Sequence, residues 1–274
     1  MNSILHTLKE EKEMRYKGGL YHRTQILMAY NTNRIEGSRL TQDQTRSIFE
    51  TNTVFANGDE AIRIDDIVET QNHFRAFDFM LDHAEDNLSE DIIKTFHQIL
   101  KHGTSDSRIS WFNVGDYKML PNEAGLLETS EPDDVPKSMQ QLLSEYLAKQ
   151  DIKIEDIIDF HAKFEKIHPF QDGNGRVGRL VMFKECLHHN ITPFIIDMNL
   201  QPYYYRGLWN YQTGQEKGYL VDTCLTAQDR YSAICSRLVP KQRMADQLAT
   251  AQEKASAEHT TDRSHPERSG NPVL

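Results

Sequence analysis

Apolar residues recur three and four positions apart in several stretches of this chain, the spacing of one buried face of a helix. The clearest stretch runs from Ile154 to Ile167, where Ile157, Ile158, Phe160, His161, Phe164 and Ile167 share a face. His168 closes it. Pro169 disfavours helical backbone for the residue before it, and Gly173 and Gly175 admit geometries closed to other residues, so a tight loop is expected there. A second helix is predicted from about Asn174 to His189, with Val177, Leu180, Val181, Phe183 and Leu187 inward and Pro193 beyond its end. Further helices are predicted over Ile67 to Leu81 and Ile92 to Leu100, with Ser89 and Gly103 as punctuation. Nearer the start, Ile26, Leu27, Tyr30 and Ile35 suit one helix face that Gly37 would stop, and Thr41 with Gln44 reads as a capping box opening the next helix. Tyr203, Tyr204 and Tyr205 open another helix, continuing through Leu208.

Composition narrows the class without naming a chemistry. At 274 residues, a single extended domain can bury a substantial core. The net charge of −10 and the absence of a long basic stripe argue against a nucleic-acid surface, so partners are sought among proteins. Cys186, Cys224 and Cys235 are odd in number and lack metal-ligand spacing, which suits reduced buried thiols and a cytoplasmic location. No apolar run has the length to span a membrane, and the mixed charges of the first residues are unlike a signal peptide. From Lys241 the chain loses aromatics and turns polar, so 241–274 reads as a flexible tail.

The chemistry is concentrated in twelve residues, His168 to Arg179 (HPFQDGNGRVGR). In a helix, glycine-rich loop, helix unit the amides of Gly173, Asn174 and Gly175 lie at a helix N-terminus, where unpaired donors and the helix dipole favour an anion. Arg176 and Arg179 lie three apart, hence on nearly one side of the helix, and guanidinium forks suit phosphate oxygens. Two arginines imply a polyphosphate. Asp172 offers Mg2+ a hard oxygen beside that site, and His168 can serve as general base near neutral pH.

These residues resemble the Fic domain family, whose signature is His-x-Phe-x-Asp/Glu-Gly-Asn-Gly-Arg-x-x-Arg, met here at every specified position. The resemblance implies an all-α fold with a small β-hairpin flap over the active site, and Mg2+-dependent transfer of AMP from ATP to a Ser, Thr or Tyr hydroxyl of a target protein. His168 would be the base, Asp172 would hold Mg2+ on the α- and β-phosphates, and Phe170 would anchor the loop in the core. Gly173, Asn174 and Gly175 would line the anion hole. Arg176 would contact the phosphates, and Arg179 would reach the γ-phosphate.

Four further segments extend the resemblance, which runs from about Lys17 to Leu238. Thr32 to Gly37 (TNRIEG) is similar to the family's autoinhibitory motif, Ser/Thr-x-x-x-Glu-Gly/Asn, so Glu36 would pair with Arg179 and displace the γ-phosphate. Glu69 and Asn72 fall on a helix whose family roles are structural. Gly115 to Lys118 stands where relatives show Gly-x-Tyr-Arg, with Lys118 keeping the charge but losing the planar fork. The flap falls at about 118–128 and would pair with an extended target segment by β-augmentation. Tyr204 and Tyr205 match a tyrosine pair that contacts adenine, though Gln212 stands where relatives have Asn, and core packing is the competing reading. The expected organisation is N-terminal helices over 1–60, a core over 61–240 and the tail. Two other readings stay open: a de-AMPylating hydrolase that uses Glu36 to orient water, and a non-catalytic nucleotide-binding module. Oligomeric state, a homodimer included, is open too.

Overall fold

The computed structural model describes residues 3–56, 58, 61–124 and 127–239, and the tail expected over 241–274 lies outside them. Helices dominate: α1 (Ser3–Met14), α2 (Leu20–Ile35), α3 (Gln42–Thr51), α4 (Ile64–Asp82), α5 (Glu90–Lys101), α6 (Val135–Leu147), α7 (Ile154–Ile167), α8 (Asn174–His188), α9 (Gln201–Gln212) and α10 (Gly218–Leu238). Two very short strands, β1 (Glu123–Ala124) and β2 (Leu127–Glu128), pair antiparallel with Glu123 opposite Glu128. Local chemistry sets several boundaries. Thr41 and Gln44 form the expected reciprocal capping box, and the Ser89 hydroxyl accepts from Ile92 N at the start of α5.

Helix α8 is central. It is buried along both sides, packs on α7, α5 and α4, and brings Val177, Leu180, Val181 and Phe183 into the main core. Phe170 is wholly buried and stacks face to face on His97, ring centroids 4.1 Å apart, so the loop before α8 is pinned in the core by its own side chain. Helix α2 touches α4, α8 and α10. Its buried face differs from expectation. Leu27 and Tyr30 are only half-buried, whereas Thr24, Gln25, Asn31, Thr32 and Asn33 are buried. The reason is hydrogen bonding, which lets polar side chains occupy a core face: Gln25 donates to Tyr21 Oη, Phe74 O and Asp78 Oδ1, and Thr24 shares a bond with Tyr231. All three cysteines are free and buried.

Candidate active site

Helix α7 ends on His168, whose backbone turns left-handed (φ +52°). That turn carries the ring back over its own helix, where Nδ1 lies 3.2 Å from Glu165 O. With a carbonyl as acceptor, Nδ1 carries the proton and Nε2 keeps its lone pair. Burial holds the imidazole below its usual range, and the nearby Lys118 charge acts the same way, so the ring is neutral at pH 7.

The loop to α8 is held by its own side chains. Asn174 accepts from Phe170 N and donates to Phe170 O, both at 2.8 Å, so its side chain shapes the turn. Gly173 caps α8 with φ +82°, a left-handed conformation that favours glycine. The first-turn amides of α8 therefore lack carbonyl partners within the helix, an arrangement that suits an anion. They face a cavity of about 520 Å³ whose wall also includes His168, Asp172, Arg179, Glu36 and Glu165, with Tyr204, Tyr205, Leu208, Trp209 and Gln212 contributed by α9.

The two arginines take different places. Arg179 reaches the cavity, where its Nη2 meets Glu36 Oε1 at 2.5 Å, and its guanidinium lies over the Tyr204 ring. Arg176 does not reach it. Its fork is taken by Glu69 Oε2 at 2.6 Å and Asp172 Oδ2 at 2.9 Å, behind the loop. Three residues separate an arginine at the cavity from one held away from it by two carboxylates.

Glu36 follows the last residue of α2, and two groups on α9 fix that end: Tyr205 Oη donates to Ile35 O at 3.0 Å and Gln201 Nε2 to the same carbonyl at 3.4 Å. A Cβ on Gly175 would run into both Glu36 and Arg179, so this pair sits directly over the anion turn. Tyr204 is wholly buried and its hydroxyl bonds His161 Nε2 at 2.5 Å, so it forms wall rather than rim, whereas Tyr205 is half-exposed.

The segment around β1 and β2 is tied to the same loop from both ends. Lys118 N donates to Pro169 O, Asn122 Nδ2 to Phe170 O and Ser130 N to Ile167 O. Lys118 Nζ, buried, closes the base of the pair through Asn122 Oδ1 and Thr129 Oγ1, and burial pulls its pKa down to about 8. Glu123 enters the cavity wall.

Three groups went unremarked in the sequence. Lys101, Glu165 and Trp209 are ordinary helix residues until the fold places them. Glu165 alone had a faint marker, a charge one turn before His168 on an otherwise apolar face.

Residues 87–186 match the Fic/DOC family. The chain is distantly homologous to the protein adenylyltransferase Fic of Nematostella vectensis, 27% identical over 188 residues, covering 65% of this chain and 41% of that one. The protein adenylyltransferase fic-1 of Caenorhabditis elegans is 25% identical over 190 residues, covering 68% and 36%. The chain thus spans well under half the length of these curated relatives. A Fic-domain-containing signalling protein from Bacteroides thetaiotaomicron superposes with a TM-score of 0.67 at 18% identity, covering 86% of this chain and 95% of that one. The fold is the all-helical Fic fold. No described helix is long and apolar enough to cross a membrane.

Proposed function

We propose that this chain is a protein adenylyltransferase, transferring AMP from ATP to a hydroxyl of a target protein, and that Glu36 restrains it. The observation carrying this reading is the convergence on one cavity of a neutral His168 with a bare Nε2, a helix N-terminus with unpartnered amides, and an Arg179 already paired by Glu36.

The chemistry follows from those positions. A target hydroxyl entering beside His168 gives its proton to Nε2 as its oxygen attacks the α-phosphorus of ATP. The bond from that phosphorus to the bridging oxygen breaks, and pyrophosphate leaves. Amides of Gly173, Asn174 and Gly175 stabilise charge on the phosphates, and positioning supplies most of the remaining acceleration. Arg179 takes the γ-phosphate once Glu36 withdraws. While the pair stands, that phosphate has no place, and ATP sits in an unproductive pose.

Mg2+ arriving with the nucleotide would neutralise charge on the α- and β-phosphates. The donor chemistry suits that role, because the Asp172 carboxylate at the cavity wall is a hard oxygen that would hold an ion whose other ligands are water and phosphate. The segment at about 118–128, tied to the loop at both ends, is the flap of this reading. A target backbone would add to it beside His168.

The deciding measurement uses ATP labelled on its α-phosphate with Mg2+ and a cell lysate. Glu36→Gly should label protein strongly, wild type weakly, and Glu36→Gly with His168→Ala not at all. Should Glu36→Gly label nothing, the transferase reading is lost. Loss of AMP from a pre-modified protein would then mark a hydrolase that needs Glu36, and no turnover in either direction would mark a binding module.

A further inference from the structure

Beneath the anion loop lies a charge cluster that the chemistry above does not use. Lys101, the last residue of α5, is 1% exposed, and its ammonium donates to Asp172 Oδ2 at 2.7 Å, Glu69 Oε1 at 2.8 Å and Asp106 Oδ2 at 3.1 Å. All three of its donor positions are filled. Arg176 meets two of the same carboxylates from the other side, Glu69 at 2.6 Å and Asp172 at 2.9 Å. The five groups come from α4, α5, the turn after α5, the loop and α8, so the cluster ties the loop to three helices. Both cations choose the same oxygen of Asp172, Oδ2.

We propose that Lys101 is a positioning residue for Asp172: with Arg176, and with Glu69 holding both cations, it fixes Oδ2 from behind and leaves Oδ1 as the oxygen given to a nucleotide-bound divalent cation. This rests on the reading of Asp172 as the group that would hold Mg2+. A carboxylate on a loop has two free torsions, and ordering it at the moment of binding costs affinity. Groups behind a metal-ligating side chain fix its orientation in advance. Lys101 is suited to this because its buried stem also lies against Gly173, 3.6 Å from where a Cβ would stand, so the lysine bounds the turn as well as the carboxylate.

Charge and positioning predict opposite signs, which makes the idea testable. A cation 2.7 Å from the other oxygen of the ligating carboxylate repels Mg2+, so by charge alone its removal would strengthen metal binding. If Lys101 acts by positioning, removal weakens it. The experiment titrates the full chain with ADP, which carries the two phosphates concerned without needing Arg179, at a series of Mg2+ concentrations in a calorimeter. Wild type, Lys101→Met, Lys101→Gln and Asp172→Asn are compared. In Lys101→Met the Mg2+ concentration giving half of the gain in ADP affinity should rise by about 10-fold or more, the usual cost of losing such a supporting group, with metal-free ADP affinity unchanged. Lys101→Gln, which keeps one donor, should fall between, and it carries the test if the methionine variant does not fold. An unchanged or lowered half-point in the lysine variants, with Asp172→Asn raising it, overturns the proposal alone. If Asp172→Asn also leaves the half-point unchanged, the reading of Asp172 fails and the proposal falls with it.

Discussion

Glu165 is a carboxylic acid held where its charge is disfavoured. Burial pushes its pKa up to about 8, with Glu36 acting in the same direction and Arg179 opposing both. Its Oε1 has no hydrogen-bond partner. The sign of the consequence is fixed by linkage. Between the unfolded value of 4.5 and the folded value of about 8 the native chain keeps a proton that the unfolded chain has lost, so stability falls as pH rises through that window and levels off above it. Melting wild type and Glu165→Gln side by side from about pH 5 to 8 should show the wild type declining more steeply. Parallel curves would mean that Glu165 is ionised in the native state. Residues of this kind were illegible in the sequence, whereas His168, Asp172 and Glu36 stood out because short motifs carry them. Lys101 finds Glu69 across 32 residues and Asp172 across 71, and no local pattern reports such partners.

Where α7 and α8 cross, Gly178 lets one helix press on the side chains of the other. A Cβ there would stand 2.6 Å from His161 Nδ1 and 3.0 Å from Glu165 Oε1. Two effects compete in Gly178→Ala. Alanine favours a helix interior over glycine by about 1 kcal/mol, while forcing a methyl into a packed contact costs about 1–3 kcal/mol. The crowding should win, and the denaturation midpoint should move down; a midpoint that moves up would refute the close approach. At this scale the sequence was most legible. Helix α7 has the expected limits because apolar residues recur at helical spacing along its whole length, and α3 and α5 begin where capping side chains were expected. The face of α2 was misread because hydrophobicity alone cannot report that Thr24, Gln25 and Asn33 are buried by hydrogen bonding.

For the molecule as a whole, the cavity is assembled from α2, α7, α8, α9 and the segment around β1, so an occupant bridges elements distant in the chain. A ligand that binds only the folded state raises its stability by mass action, about 2.7 kcal/mol at a hundredfold excess over Kd. ATP should therefore raise the melting temperature of the whole chain, and raise it further in Glu36→Gly, where Arg179 is free to meet the nucleotide. Equal shifts in the two proteins would show that Glu36 does not compete with ATP for that arginine. The overall class was legible because helical spacing repeats along the chain. The assembly was not, since which helices meet at the cavity depends on contacts the spacing does not encode.

The pairing of Glu36 with Arg179 spans 143 residues, with the carboxylate on the earlier side. A ribosome adding about 5–20 residues per second completes α2 several seconds before it reaches that arginine. Glu36 has thus already been synthesised when the anion loop and α8 first fold, and each newly made molecule can close this contact as it forms. On the proposed reading of Glu36, restraint would be the condition in which the protein is born, and activity something it must later acquire.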